Sequence, residues 1–102
     1  MPSYLVESYH SRRDEAELAP ASARARDAAE TLSRGGIEVR YVRWTFVPED
    51  EICLHLIEAP SLETVREALA LAAISYVRIV EAVDRPPPGA AEHDEVLGRV
   101  RP

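Results

Sequence analysis

Several residue types are scarce in this chain of 102 residues. It has one cysteine, Cys53, so an intramolecular disulfide cannot form, and its twelve basic residues are all arginine. The first residues lack the apolar core of a signal peptide, and no apolar run approaches the roughly 18 residues of a membrane span. We therefore expect a protein of a reducing, cytoplasmic compartment.

Charge and motifs exclude several classes of partner. The formal net charge is −6, which argues against nucleic acid or an anionic membrane as partner, and the arginines are scattered. The sequence has no glycine-rich phosphate loop, no paired-cysteine zinc motif and no basic-aromatic nucleic-acid pattern. A hydrophobic fraction of 46% and a charged fraction of 29% are ordinary for one soluble domain with a modest core.

Apolar spacing predicts four strands and two helices. Alternating stretches predict β1 over residues 3–9, β2 over 37–46, β3 over 51–59 and β4 over 75–83. Apolar residues at steps of three and four predict α1 from about Leu18 to a stop at Gly35-Gly36, and α2 from an N-cap at Ser61 to about Ala72.

The composition changes after Val83, where three consecutive prolines are followed by a mostly polar stretch. We expect residues 1–83 to form the folded domain and residues 84–102 to be a flexible, Pro-rich C-terminal tail.

The element order β-α-β-β-α-β is that of the ferredoxin-like split βαβ fold of the α+β class. It predicts a four-stranded antiparallel sheet with both helices on one face, because both crossovers are right-handed. We expect β1 and β3 at the centre, paired in parallel, with β2 and β4 at the edges. The other face of the sheet, called the open face here, is then uncovered.

Alternation along β3 separates two sets of side chains. Ile52, Leu54 and Leu56 form an aliphatic row that is expected to meet the helices. Cys53 and His55 then point to the open face.

Other strands are expected to add polar groups to the open face. Glu7 and Tyr9 join from β1. From β2, either Tyr41 and Arg43 or Val42 and Trp44 lie there, and the pattern leaves both registers open.

Leu5 and Ile57 make the open face too apolar to stay fully wet. A second copy of the domain, packed sheet against sheet, is the simplest cover. We therefore expect a homodimer.

The strongest constellation of reactive groups is His55, Cys53, Glu7 and Tyr9. Imidazole, carboxylate and thiolate suit Ni(II), Zn(II) or Cu(II), and one chain offers two or three ligands, with water or the second copy completing the site. A structural alternative is a Glu7–His55 hydrogen-bonded pair inside the dimer interface, with Cys53 as a small buried apolar residue.

An enzymatic alternative is a small dimeric-barrel enzyme of the isomerase or monooxygenase type acting on an organic substrate. His55 is then the base, Glu7 its orienting partner, and Tyr9 or Tyr41 a hydrogen-bond donor to a small-molecule ligand. Cys53 is a weak candidate nucleophile because His55 is poorly aligned with it on the strand. A third alternative is a non-catalytic structural or interaction module.

The segment "TFVPEDEICLHLIEAPSLETVREA", residues 45–68, resembles a family of short bacterial ferredoxin-like domains of unknown function whose named prototype is a nickel-binding protein. The resemblance extends over residues 3–83 and implies the ferredoxin-like fold, with nickel as the first candidate ligand. Together with the uncovered sheet face, it leads us to expect a dimeric, non-catalytic domain that binds a divalent transition metal or a small ligand on the open face. His55 occupies the position of a family cysteine, and Cys53 matches a second cysteine in one branch. Ala68 stands where many relatives have a polar residue.

Three further features are interpreted as structural or solvated. Trp44 is expected to pack in the interior or an interface. His10 and the tail residues His93-Asp94-Glu95 are expected to be solvated.

Overall fold

The computed structural model describes residues 1–88, and the predicted tail lies outside the described residues from position 89 onward. The strands are β1 Ser3–Tyr9, β2 Arg40–Val47, β3 Ile52–Glu58 and β4 Arg78–Ala82, and the helices are α1 Leu18–Arg34 and α2 Leu62–Leu71, with a 3₁₀ helix over Arg12–Glu17. The strand order is β2-β3-β1-β4, so the predicted ferredoxin-like α+β fold is confirmed. Within residues 1–88, no helix is long and apolar enough to cross a membrane.

The expected parallel pairing of β1 and β3 is wrong. These two central strands are antiparallel, as are the other two pairs in the sheet. A right-handed β1-α1-β2 crossover makes β1 and β2 parallel to each other. The short β2-β3 hairpin then reverses the chain, so β3 runs against both of its neighbours.

Both helices end in the same hydrogen-bonded cap. After α1, Gly36 has φ +95°, and the Ile37 N–H donates to the Leu32 carbonyl at 3.0 Å. After α2, Ile74 N–H donates to the Leu69 carbonyl at 3.0 Å, but the left-handed position is occupied by Ala73 at φ 56°. Glycine adopts this conformation without steric strain, whereas alanine does not. β2 and β4 therefore begin three residues later than predicted. In each case the first three residues of the predicted strand belong to the helix cap or to the connection that follows it.

The hydrophobic core lies between the sheet and the helices. Its main cluster of buried residues is Tyr4, Val6, Ala29, Val39, Ile57, Ala59, Val65 and Leu69. A smaller cluster joins α1 to the end of α2 through three alanines, Ala25, Ala28 and Ala72. Small side chains at this contact allow the two helices to approach closely.

The predicted orientation of β3 is wrong. Cys53 and His55 lie beneath the helices, with exposed fractions of 0% and 2%. β1 shows why, since Val6, fully buried in the core, is paired directly with His55. Residues directly opposite each other in an antiparallel pair share one face of the sheet.

The aliphatic row of β3 therefore points to the open face. Ile52 and Leu54 are half-buried there, and Leu56 is buried. Ile57, which was predicted on the open face, is in the core. The outward direction predicted for β1 is correct, because Glu7 is paired with Leu54 and Leu5 with Leu56.

The two registers considered for β2 placed either Tyr41 and Arg43 or Val42 and Trp44 on the open face, and neither is fully correct. The pairing of β2 with β3 shifts between Tyr41 and Arg43, where Val42 is an extra residue. Such a β-bulge interrupts the alternation of faces. Arg43 consequently lies on the open face, while Tyr41 and Trp44, paired with Ile57 and His55, both lie on the helix side.

Candidate ligand-binding site beneath the helices

Two buried side chains, Cys53 and His55, and the half-buried Tyr41 form a chain of polar contacts on the helix side of β2 and β3. The Tyr41 hydroxyl lies 2.7 Å from Nδ1 of His55, and Sγ of Cys53 lies 3.7 Å from Nε2 of His55. A neutral imidazole has one donor and one acceptor nitrogen, so it can be satisfied in either tautomer by a hydroxyl and a thiol. Among the described residues, no buried side-chain nitrogen or oxygen lacks a partner.

Burial shifts the pKa of each of the three groups further from neutrality, toward its uncharged form. Burial, with a smaller contribution from nearby His10, lowers the pKa of His55 from 6.5 to about 4. Burial raises the pKa of Cys53 to about 11. Burial, and then the proximity of Cys53, raises the pKa of Tyr41 as well. A reactive thiolate beside an imidazolium is therefore not formed here, because each charge would be desolvated.

A cavity of about 190 Å³ adjoins His55, between β1, the first turns of α1 and the connection from α2 to β4. We call it the His55 cavity. Its polar wall includes Ser8, His10, Arg24 and Ser75, and its apolar wall includes Leu18 and Ile74. The cavity gives the buried imidazole an approach from the surface.

Two of the wall residues are held by backbone carbonyls. Nε of Arg24 donates to the Ala72 carbonyl at 3.0 Å, which links α1 to the end of α2. Nε2 of His10 lies 2.6 Å from the Asp14 carbonyl, in the 3₁₀ helix. These contacts fix the positions of two nitrogen-rich side chains at the cavity.

Glu7 was predicted to lie beside His55, but the two residues are on opposite faces of the sheet. It lies on the open face, where its carboxylate accepts a hydrogen bond from Nε of Arg78 at 3.1 Å. Tyr41 replaces it as the partner that orients the imidazole. Tyr9 lines the edge of the His55 cavity but is 66% exposed. Of the predicted site residues, the structure thus brings together Tyr41, Cys53 and His55.

The predicted metal ligands Glu7, Cys53 and His55 are divided between the two faces of the sheet. Within residues 1–88, no group of three or more His, Cys, Asp or Glu side chains could hold a metal ion. Sγ of Cys53 and Nε2 of His55, 3.7 Å apart, have a separation close to the roughly 3.6 Å between a sulfur and a nitrogen bound to one tetrahedral zinc ion. Two donors alone do not complete a coordination shell.

Arg24, Ser8 and His10 were missed as components of a site. Arg24 shares a face of α1 with Ala21 and Ala28, and this spacing could have placed it over the sheet. Ser8 shares a face with Val6 in β1, so the outward direction predicted for Glu7 and Tyr9 already implies that Ser8 lies inside.

Comparison with known proteins gives a structural relative. No protein-family model matches the chain, and no curated protein matches it. A crystal structure of a protein from Streptomyces coelicolor A3(2) is similar, with a TM-score of 0.55 and 17% sequence identity, covering 82% of this chain and 99% of that one. At this identity the similarity establishes the ferredoxin-like fold, and the function has to be argued from the site.

Proposed function

We propose that this chain is a non-catalytic binding domain that holds a small polar ligand in the His55 cavity. The observation that carries the proposal is the convergence of His55, Arg24, His10 and two serines on one concave space with an apolar wall. Ligand sites typically combine a few convergent polar groups with apolar surface. The volume is below the roughly 300–1,000 Å³ of drug-sized sites, so the ligand has only a few heavy atoms.

The charge of the cavity wall favours a neutral or anionic molecule over a cation. Among the described residues that line it, none is a carboxylate, whereas Arg24 carries a positive charge. A cation in this space would face a guanidinium without a compensating anion. We therefore favour an organic ligand here and treat nickel at Cys53 and His55 as a separate prediction.

The C-terminal cap of α2 forms part of the wall of the cavity. Ala73, which lines the cavity, has φ 56°. A non-glycine residue in this region costs about 1–3 kcal/mol, and the cap hydrogen bond from Ile74 to Leu69 holds Ala73 there. The strained turn sets the direction in which the chain leaves α2, beside the cavity.

The protonation states support binding over catalysis. A base with a pKa of about 4 accepts protons weakly at neutral pH, and a thiol with a pKa of about 11 is almost entirely protonated. Glu7, the predicted orienting carboxylate, is on the other face. These features disfavour the alternative of a small isomerase or monooxygenase that uses His55 and Glu7.

A pair of matched variants tests the proposal. Ala21→Leu adds three carbons where Ala21 lines the cavity, whereas Ala70→Leu adds the same atoms on an exposed part of α2. Thermal unfolding is followed with a panel of small polar metabolites. We expect at least one to raise the Tm of the wild type and of Ala70→Leu but not of Ala21→Leu, because a ligand stabilises only the state that binds it. The site would be contradicted if a metabolite stabilised both variants equally. It would also be contradicted if no metabolite stabilised the wild type.

We also propose that two copies of the domain pack through their open faces. Leu5, Leu56 and Val80 form an apolar row across three neighbouring strands. Leu56 is already buried in one copy, so Leu5 and Val80 supply the accessible apolar surface of this row. The charges around this row balance, since Glu7 pairs with Arg78, Glu58 with Arg40 and Asp84 with Arg43. A neutral apolar face on a chain of net charge −6 can meet an identical face without like-charge repulsion.

A further inference from the structure

A second concave surface lies on the outer side of Tyr41, between α1 and β2. Its volume is about 400 Å³, within the range of small-molecule sites. The wall contributed by α1 includes Ser22, Ala23 and Arg26, and the wall contributed by β2 includes Tyr41 and Trp44. We call it the Trp44 groove. It shares no wall residue of α1 with the His55 cavity, so the function proposed above does not account for it.

Two local features create the groove. The exposed side of α1 carries small residues here, Ala19, Ser22 and Ala23, which leave space beside the edge strand. The β-bulge at Val42 places two aromatic side chains, Tyr41 and Trp44, on the helix side although they are three residues apart. Bulges of this kind are frequent next to binding sites, where they redirect side chains.

The groove has a positive charge and a flat aromatic surface. Arg43 directs its guanidinium to Asp84 on the open face, at 3.0 Å, so Arg26 is the cationic side chain available to the groove. None of the described residues lining the groove is a carboxylate. Trp44 is partly exposed there and offers ring surface for stacking.

We propose that the Trp44 groove binds a small planar organic anion, an aromatic carboxylate. The ring of the ligand packs against the indole of Trp44, and its carboxylate accepts hydrogen bonds from the guanidinium of Arg26. The planar fork of arginine matches a carboxylate in a bidentate arrangement, which a neutral amide cannot reproduce.

Trp44 is the only tryptophan of the chain, so its fluorescence reports on the groove directly. The probe is benzoate, and benzamide is its neutral counterpart. We expect benzoate to change the Trp44 emission saturably and benzamide to bind at least tenfold more weakly. Arg26→Gln should weaken benzoate binding roughly 10- to 100-fold, the usual effect of losing hydrogen bonds to a charged group.

Two controls distinguish binding in the groove from binding elsewhere on the protein. Arg34→Gln removes an equal charge from the end of α1, where Arg34 contacts Thr31, and should leave benzoate affinity unchanged. Ala23→Leu narrows the groove and should abolish binding, whereas Ala21→Leu narrows the His55 cavity and should not. Circular dichroism confirms that each variant is folded.

Three results would overturn the proposal: no saturable change with benzoate, equal affinities for benzoate and benzamide, or equal effects of Arg26→Gln and Arg34→Gln. Loss of benzoate binding in Ala21→Leu but not in Ala23→Leu would assign the ligand to the His55 cavity instead. A lack of benzoate binding in the Trp44 groove would therefore not contradict the function proposed for the His55 cavity.

Discussion

The hydroxyl of Tyr41 lies 2.7 Å from Nδ1 of His55, with the two rings tilted at 51° to each other. Tyr41 is paired with Ile57 rather than with His55, so the contact runs diagonally across the β2-β3 pair. It explains how an imidazole is tolerated beneath the helices. A buried nitrogen without a partner costs about 1–3 kcal/mol, and the phenol removes that penalty.

The first prediction concerns this hydrogen bond. Tyr41→Phe keeps the ring and leaves Nδ1 of His55 without a partner, so the free energy of unfolding should fall by about 1–3 kcal/mol. Urea denaturation at neutral pH measures the change. Tyr76→Phe, at a residue that is 39% exposed, is the matched control and should change stability little. Equal losses in the two variants would show that the Tyr41–His55 contact does not stabilise the fold.

The second prediction concerns pH. The pKa of His55 is about 4 in the folded protein and 6.5 when unperturbed, so the unfolded chain binds more protons between these values. The stability linked to His55 is therefore complete above pH 6.5 and is lost as the pH falls through this range to about 4. The total loss is about 3 kcal/mol, at roughly 1.36 kcal/mol per pKa unit.

His55→Gln tests this dependence, because glutamine does not titrate. Free energies of unfolding measured from neutral pH down to about pH 4 should decrease less steeply in His55→Gln than in the wild type. His10→Gln removes the smaller of the two causes that lower the pKa of His55, so its profile should lie between those of the wild type and His55→Gln. Parallel profiles for the wild type and His55→Gln would contradict the lowered pKa.

Much of the fold was predictable because local signals agreed. Ser61 accepts a hydrogen bond from the Thr64 backbone N–H, as expected of the N-cap of α2. The glycine pair ended α1 within a residue of the predicted stop. These signals depend on neighbouring residues in the chain, so they did not require knowledge of the tertiary contacts.

The orientation of β3 was not predictable from hydrophobicity alone, because both of its faces are largely apolar. Leu54 and Leu56 lie outward, while Cys53 and His55 lie inward. The prediction placed the more hydrophobic row in the core. It was wrong because the polar imidazole of His55 can be buried when Tyr41 provides its hydrogen-bond partner. The pairing of Val6 with His55, which decides the question, is a long-range contact that no spacing within β3 reveals.

The bulge limited prediction of the site. Strict alternation places Tyr41 and Trp44 on opposite faces, whereas the extra residue, Val42, brings them to one face. No glycine or proline marks this position in the sequence. The contact from Tyr41 to His55 and the Trp44 groove both depend on it, so neither could be derived from a regular strand.

The third prediction concerns nickel. If the chain binds nickel as the sequence resemblance implies, retention should depend on Cys53 and His55 and not on Glu7, because only the first two share a face of the sheet. Untagged protein is incubated with Ni(II), desalted and analysed for metal. Cys53→Ser and His55→Gln should lose nickel, and Glu7→Gln should keep it. A wild type that retains none would contradict nickel binding, and loss in Glu7→Gln alone would place the ion on the open face.

The last prediction concerns the dimer. Val80 lies on the edge strand β4 with 37% of its surface exposed, so Val80→Arg should not disturb folding. In a dimer it would bury an unpaired cation within the apolar row, which is strongly unfavourable without a partner charge. Size-exclusion chromatography with light scattering should therefore show a dimeric wild type and a monomeric Val80→Arg. Val77→Arg, at a residue that is 52% exposed and precedes the strand, adds the same charge away from the row and should remain dimeric. A wild type that is monomeric at high concentration, or a Val80→Arg variant that stays dimeric, would show that the open faces do not meet.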